Sequence, residues 1–203
     1  VTMNCIESAG SHNFIIVESN YKVNYPQNTT IHPNEIFGYN KYLNIGAKQG
    51  ESDYIFFANN DLIFEKGWDR ELLSIMKNDK INSVSPICPN THKEFNIYPN
   101  SGIHLGYNIR KHFCGWAFMW TRELYNKIGG FDEDFVFWCS DNATVEQLIA
   151  FNEKHALVTS SIVNHKTSIT RDTLDQEIFK KFTTDQLNKF NNKYGKNLYV
   201  PGF

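Results

Sequence analysis

The sequence has few of the features that mark membrane, secreted or zinc-binding proteins. Its four cysteines stand far apart and form no C-x-x-C pair, which argues against a zinc site and for reduced thiols in a cytosolic setting. No apolar run approaches the roughly 20 residues that a membrane helix needs, and no secretory signal is visible. A net charge of −2 gives no electrostatic reason to expect nucleic-acid binding. We therefore expect a cytoplasmic protein, with peripheral attachment to a membrane left open.

The composition is that of a globular domain with many aromatic residues. A chain of 203 residues, 41% hydrophobic and 21% charged, is long enough for a substantial core. We expect a single domain over residues 1–203. Most of the 16 Phe, 10 Tyr and 4 Trp should be core, although carbohydrate sites also use aromatic faces. The chain begins at Val1, and the sequence leaves open whether a first strand upstream belongs to the native protein.

Hydrophobic periodicity predicts strands alternating with helices. The alternation predicts an α/β fold with a mainly parallel central sheet flanked by helices. Residues 88–112, between two predicted strands, carry turn residues and short extended pieces, which favours a hairpin insertion. The predicted strands are 13–19, 53–58, 81–86, 113–120 and 156–163, and the predicted helices are 1–9, 35–49, 67–78, 122–128, 143–155 and 172–193.

The most informative stretch is residues 52–64, SDYIFFANNDLIF. An apolar run ends abruptly in Asn59, Asn60 and Asp61, as in a strand buried on both faces. In open α/β sheets, ligands bind beyond the carboxyl ends of the strands. A carboxylate there is well placed to hold a metal ion or a sugar. The alternative is a strand followed by an ordinary Asx turn.

Three further segments carry a resemblance to a known family. IIVESN (15–20) is similar to a strand that ends in an acidic residue, here Glu18. FGYNKYLNIGAKQG (37–50) resembles a G-x(5)-N-x-G helix containing Asn44. GGFDEDFVFWCSDN (129–142) resembles a G-G-F-D-E block followed by an acidic pair. With the Asn-Asn-Asp element, their order resembles that of GT-A fold, family 2-type inverting glycosyltransferases, close to compact phage and large-virus members.

This resemblance implies a divalent cation, Mn2+ or Mg2+, held by Asp61 and His165, because hard oxygen ligands and imidazole suit these ions. Asp141 aligns with the general base that takes a proton from the acceptor. Nucleotide-sugar contacts are expected from Glu18, Asn20, Asn44, Asn59 and Asn60. Acceptor contacts are expected from Trp116, Asp132 and Trp138.

Each assignment has an ordinary structural alternative. His165 after a strand is also typical of a surface residue, and Asp is a preferred N-cap, so Asp141 has a second interpretation. Trp116 is equally typical of a core residue. The chain also departs from the family pattern: Leu43 stands where many members have Arg, Ser140 replaces a usual Glu, and Ala143 a frequent Asp.

The expected reaction is inverting transfer of a hexosyl group from a nucleotide diphosphate sugar to a glycan hydroxyl, with UDP-glucose favoured as donor. Two alternatives stay open. One is a rhamnosyltransferase that uses dTDP- or UDP-rhamnose. The other is a non-catalytic module that binds nucleotide sugars or carbohydrate. A sugar-nucleotide pyrophosphorylase is weaker, since no Gly-rich triphosphate-binding loop is evident.

Overall fold

The computed structural model describes residues 1–19, 23–166 and 176–198. Within these ranges, each predicted helix and strand has a counterpart, but helices and strands do not strictly alternate. The helices are α1 (Thr2–Ala9), α2 (Tyr39–Ala47), α3 (Trp68–Asn78), α4 (Pro89–His92), α5 (Arg122–Ile128), α6 (Ser140–Ala150) and α7 (Gln176–Tyr194). The strands are β1 (Ile15–Val17), β2 (Thr29–Ile31), β3 (Tyr54–Ala58), β4 (Leu62–Phe64), β5 (Ser83–Ile87), β6 (Ile103–Leu105), β7 (Ala117–Thr121) and β8 (His155–His165).

The central sheet has the order β3-β7-β5-β8-β4, and β6 also pairs with β8. Strands β3, β5 and β8 run in one direction, whereas β7, β6 and β4 each pair antiparallel to a neighbour. The α/β class is therefore confirmed, but the expectation of a mainly parallel sheet is wrong. The segment between β5 and β7 holds β6 together with short helices and turns, and an antiparallel neighbour needs no crossover helix.

Two apolar clusters cover the two faces of this sheet. Successive side chains of a strand point to opposite faces, and β3 shows this directly. Phe56 packs with the cluster that includes α1, α3 and β4, while Phe57 belongs to the cluster that includes α2, α5 and α6. Strand β3 is thus covered on both faces, but the prediction of a fully buried strand is wrong. It lies at the edge of the central sheet, and Phe57 alone of its five residues is fully buried.

Several local predictions need correction. Residues 88–112 form no hairpin: helix α4 is followed by a 3-10 turn at Lys93–Phe95 and then by β6, which pairs with β8. The sequence reading also missed β2 and β4, each only three residues long. Helix α5 does end at Gly129, which adopts the left-handed conformation typical of a C-terminal glycine. The predicted start of the last helix lies outside the described residues.

All four cysteines are free and buried. In the part of the chain that the structure describes, no helix is long and apolar enough to cross a membrane.

Candidate active site

The Asn-Asn-Asp element forms the loop between β3 and β4, and backbone hydrogen bonds fix it at both ends. The Asn59 amide donates to the Trp116 carbonyl over 2.9 Å, and the Lys166 amide donates to the Asp61 carbonyl over 3.0 Å. Strand register then places Leu62 opposite His165. The loop is therefore held between the start of β7 and the end of β8.

Asp61 and His165 meet at this edge. Asp61 Oδ1 lies 3.3 Å from His165 Nε2, with 16% and 14% of the two side chains exposed. Oδ1 is buried and, among the residues that the structure describes, has no hydrogen-bond partner, so it lies close to the imidazole without a well-directed hydrogen bond. Trp116 stacks on the His165 ring, with centroids 5.0 Å apart and planes tilted by 16°. This stacking orients the imidazole towards the carboxylate.

This pair fits a divalent cation. A carboxylate oxygen without a hydrogen-bond partner and a nearby imidazole nitrogen are both ligands that Mn2+ accepts. Across the described ranges, no group of three or more His, Cys, Asp or Glu side chains is arranged to hold a metal. A cation at this pair would therefore need further oxygen ligands from a diphosphate or from water.

Tyr39, which is not among the site residues predicted from the sequence, lies between this loop and Asp141. Its hydroxyl is 3.0 Å from Asn59 Oδ1 and 2.7 Å from the Gly115 carbonyl. Burial, reinforced by the nearby charges of Asp141 and Asp61, raises the pKa of the Tyr39 hydroxyl. This residue therefore keeps its proton, and its hydroxyl connects the Asp61 loop to Gly115, the residue against which Asp141 packs. The helical pattern gave no signal for this role.

Asp141 packs against Gly115. A Cβ added at Gly115 would lie 2.0 Å from Asp141 Oδ1, so the carboxylate occupies the space that any other residue would fill. Burial raises the pKa of the Asp141 carboxyl to about 6. The side chain nevertheless keeps part of its surface accessible, as a proton acceptor for a bound substrate must.

Helix α6 does not use Asp141 as its N-cap. The cap position belongs to Cys139, which adopts a left-handed backbone conformation, and Asp141 is the second residue of the helix. The capping alternative for Asp141 is therefore wrong.

Glu18 connects to the same loop through two hydroxyl groups. The Tyr25 hydroxyl donates to Glu18 Oε2 over 2.9 Å and is also hydrogen-bonded to Thr2. Asn60 Nδ2 in turn donates to Thr2 Oγ1 over 3.0 Å. Two predicted nucleotide-sugar contacts thus share one polar surface. Asn20 lies outside the described residues.

Asn44 is not free to contact a nucleotide. It is only 5% exposed. Its Nδ2 donates to the Phe131 carbonyl and to Glu133 Oε1, and its Oδ1 accepts from the Phe131 amide and the Tyr125 hydroxyl. Because both donor hydrogens and both acceptor positions are used, the predicted ligand contact is wrong, and Asn44 instead anchors the loop after α5.

Asp132 is also committed within the chain. Its Oδ2 accepts from the Tyr194 hydroxyl and pairs with Lys193 Nζ, both over 2.7 Å. It therefore ties the loop to α7, and the predicted acceptor contact has no support in this geometry.

Trp138 stands three residues before Asp141 but packs mainly inward. It contacts the apolar cluster of Phe135, Cys139, Ala143 and Phe190 and lies edge-on to Phe137. The expected acceptor contact of Trp138 therefore stays a prediction, whereas Trp116 has a clear place beside His165.

Known proteins resemble this chain in sequence and in fold. Residues 15–140 match the family described as glycosyl transferase family 2. This segment contains the Asn-Asn-Asp loop but ends one residue before Asp141 and excludes His165. No curated protein matches the chain.

Solved structures share the fold at low identity. A mannosyltransferase from Pyrobaculum calidifontis, PcManGT, solved with GDP-Man and Mn2+, has a TM-score of 0.58 and 14% identity over 85% of this chain and 48% of its own. S. aureus TarS (residues 1–349) has a TM-score of 0.60 and 10% identity, over 94% and 68%. GalNAc-T7, solved with UDP, GalNAc and Mn2+, has a TM-score of 0.54 and 12% identity, over 68% and 32%.

The chain thus spans about half of PcManGT and a third of GalNAc-T7. These neighbours show a GT-A fold, and the match over most of the chain shows the family. The protein belongs to glycosyl transferase family 2.

Proposed function

We propose that this protein transfers a hexosyl group from a nucleotide diphosphate sugar to a glycan hydroxyl with inversion at the anomeric carbon. The observation that carries the proposal is the joint placement of Asp61, His165 and Asp141. The Tyr39 hydroxyl contacts Asn59 in the Asp61 loop and Gly115, against which Asp141 packs. In this proposal, the described residues 1–19, 23–166 and 176–198 belong to a single GT-A domain.

The donor end of the site is the loop at Asp61. Asp61 and His165 would hold Mn2+ or Mg2+, and the cation, when bound, neutralises charge on the leaving diphosphate. Glu18 and Asn60 line the polar surface next to it and would bind the nucleotide. UDP-glucose is the favoured donor, and UDP and GDP-Man in the neighbours support a nucleotide diphosphate.

Asp141 supplies the base. With a pKa of about 6, its carboxylate is mostly ionised at pH 7. As the acceptor oxygen bonds to the anomeric carbon, the sugar–phosphate bond breaks and its electron pair leaves with the diphosphate. The acceptor proton passes to Asp141.

A non-catalytic binding module is the second candidate, because the Ser140 and Ala143 departures remove carboxylates. In the structure both residues are structural: the Ser140 hydroxyl donates to the Phe135 and Phe137 carbonyls, and Ala143 is fully buried. Neither can replace the lost acids, so Asp141 must act without a neighbouring carboxylate. Buried free thiols support a reducing, cytoplasmic setting for either candidate.

The test is a panel of nucleotide sugars with and without Mn2+, read by melting temperature and by release of nucleoside diphosphate. The panel contains UDP-glucose, UDP-GalNAc, UDP- and dTDP-rhamnose and GDP-mannose. Donor binding raises the melting temperature by mass action, and turnover separates an enzyme from a binding module. The largest response identifies the donor and decides between glucosyl and rhamnosyl transfer.

Asp61→Ala should abolish the Mn2+-dependent response, because it removes the charged ligand. Asp53→Ala is the matched control, since Asp53 is an exposed carboxylate just before the same strand. An unchanged Mn2+-dependent affinity for UDP in Asp61→Ala, measured by calorimetry, would remove Asp61 from the site.

A further inference from the structure

Helix α1 packs along the segment that carries Asp61, and three of its side chains contact that segment. Thr2, Cys5 and Ser8 recur at intervals of three residues, and side chains three or four residues apart are neighbours on a helix surface. We call these three residues the α1 row. They face residues 59–64, which comprise the Asn-Asn-Asp loop and strand β4.

Strand β4 lies at an edge of the central sheet and pairs there with β8. The Asp61 carbonyl accepts from the residue after β8, and the Glu65 amide donates to a β8 carbonyl. In an antiparallel pair, the backbone groups of alternate residues point towards the partner strand. The amides of Leu62 and Phe64 therefore point away from β8, towards α1.

The two ends of the α1 row hold the two ends of this segment. Asn60 Nδ2 donates to Thr2 Oγ1 over 3.0 Å. The Phe64 amide donates to Ser8 Oγ over 3.1 Å. The Ser8 hydroxyl gives its own proton to the Cys5 carbonyl, and its oxygen can still accept. Ser8 therefore supplies the acceptor that a neighbouring strand would give to β4.

The Cys5 thiol contacts the chain on both sides of the Asp61 carboxylate. It donates to the Asn59 carbonyl at an S···O distance of 3.6 Å. Burial raises the pKa of the thiol, and a hydrogen bond from the Leu62 amide to the sulfur opposes that rise. The thiol therefore keeps its proton, donating to the residue before Asn60 and Asp61 and accepting from the residue after them.

We propose that Thr2, Cys5 and Ser8 are positioning residues, which hold the β3–β4 loop so that the Asp61 carboxylate faces His165. The proposal rests on the proposed function, because it gives helix α1 a role in the same candidate cation site. On its own, a helix of eight residues is marginally stable in water. Helix α1 and the Asp61 loop therefore stabilise one another, and by linkage a ligand that orders the loop should also stabilise α1.

The first test needs no ligand and uses hydrogen exchange measured by NMR. The Phe64 amide should exchange about 10-fold faster in Ser8→Ala, the size of one lost hydrogen bond, and the Leu62 amide should do so in Cys5→Ala. Cys5→Ser should keep the slow exchange, because a hydroxyl also donates and accepts. Glu7→Ala is the matched control, since Glu7 is exposed on the same helix. Wild-type exchange of both amides in Ser8→Ala and Cys5→Ala would overturn the proposal.

The second test uses calorimetric binding of UDP with Mn2+ and separates positioning from stability. Cys5→Ala and Ser8→Ala should weaken binding about 5-fold, and Cys5→Ser should restore it. Thr159→Val is the control for a general loss of stability, because it removes a buried hydrogen bond from β8 to the Gly102 carbonyl, and it should bind UDP as the wild type does. Wild-type affinity in Cys5→Ala and Ser8→Ala, with a lowered melting temperature, would show a structural role alone and refute the proposal.

The converse effect is measured on the wild type. UDP with Mn2+ should slow the exchange of the Leu62 and Phe64 amides more than that of the β6 amides, because β6 pairs with the opposite end of β8. Equal slowing at both places would refute the coupling between α1 and the loop. Absence of UDP binding in the wild type would count against the proposed function, whereas the exchange rates without ligand would still decide the role of the α1 row.

Discussion

At the scale of single residues, the proposed chemistry depends on a carboxylate that the fold makes less acidic. Asp141 is placed beside the bare Cα of Gly115, in a partly buried position that raises its pKa to about 6. A pKa near the working pH is what a general base requires. The same burial must cost stability when the carboxylate is ionised.

Asp141→Asn separates these two effects. Transfer should fall by at least about 100-fold, in kcat rather than in donor affinity, because an amide cannot accept the proton. Since folding raises the pKa of Asp141, ionisation destabilises the folded wild type as the pH rises through 6. The variant should therefore be more stable by about 1 to 3 kcal/mol above pH 6, with the difference vanishing below pH 4.

Kinetics and melting curves from pH 4 to 8 provide the measurement. Glu146→Gln, on the same helix, is the control and should leave transfer unchanged. Full transfer activity in Asp141→Asn would sink the proposed mechanism.

Gly115→Ala tests the close contact between Gly115 and the Asp141 carboxylate by changing the glycine. The added Cβ would lie 2.0 Å from Asp141 Oδ1, so the carboxylate must move. A displacement of this size should reduce transfer by about 100-fold, with donor binding retained. Gly50→Ala is a milder control, because its Cβ would meet only side-chain ends, at 3.3 Å or more. Kinetic constants equal to wild type in Gly115→Ala would show that Asp141 does not need this space.

At the scale of elements, helix α7 holds the loop that leads into Asp141. Lys193 Nζ lies 2.7 Å from both Asp132 and Asp134, and Gln186 accepts from the Val136 amide. Hydrogen bonds from Lys193 and Lys189 lower the pKa of Asp134. Because folding lowers this pKa, the contribution is present at neutral pH and is lost on acidification.

Lys193→Ala should lower the stability by about 0.5 to 1 kcal/mol, since these pairs are partly exposed. The loss should shrink at high salt, where exposed charges are screened, and as the pH falls towards the pKa of Asp134. Chemical denaturation at low and high salt measures it, with Lys196→Ala, which removes a pair to Glu146 on α6, as the comparison. An identical denaturation midpoint for Lys193→Ala and wild type would show that the ion pairs of Lys193 do not stabilise the protein.

Elements with a strong local pattern were predictable from the sequence. The amphipathic pattern of helix α3 is a signal carried by neighbouring residues, and so is the glycine at which helix α5 ends, Gly129. Strand β4 was missed because its three residues gain their structure from pairing with β8, far along the chain. The antiparallel course of β7 also depends on pairing that local periodicity does not contain.

The same distinction between signals from neighbouring residues and contacts between distant segments applies to the candidate site. Asp61 and His165 were expected to be near one another from motif order, and the structure brings them together. Tyr39 was not predicted as a site residue, because only its hydroxyl partners distinguish it and both come from distant segments. Asn44 was predicted to contact the nucleotide. The sequence alone does not distinguish an asparagine side chain that hydrogen-bonds to a loop from one that binds a nucleotide.

At the scale of the whole molecule, strand β8 links the central sheet to the candidate cation site. Its first residues pair with β5 and β6, and its last residues pair with β4. His165 reaches Asp61 only when this strand lies in the correct register.

That arrangement has a consequence for the order of folding. Contacts between residues far apart in sequence form late, because the intervening chain must first lose its freedom. During refolding, helical signal should therefore return before Mn2+-dependent UDP binding does. If the proposed function holds, a newly made chain would bind a nucleotide sugar only after its last strand has joined the sheet, and a nascent chain that lacks this strand would be inactive.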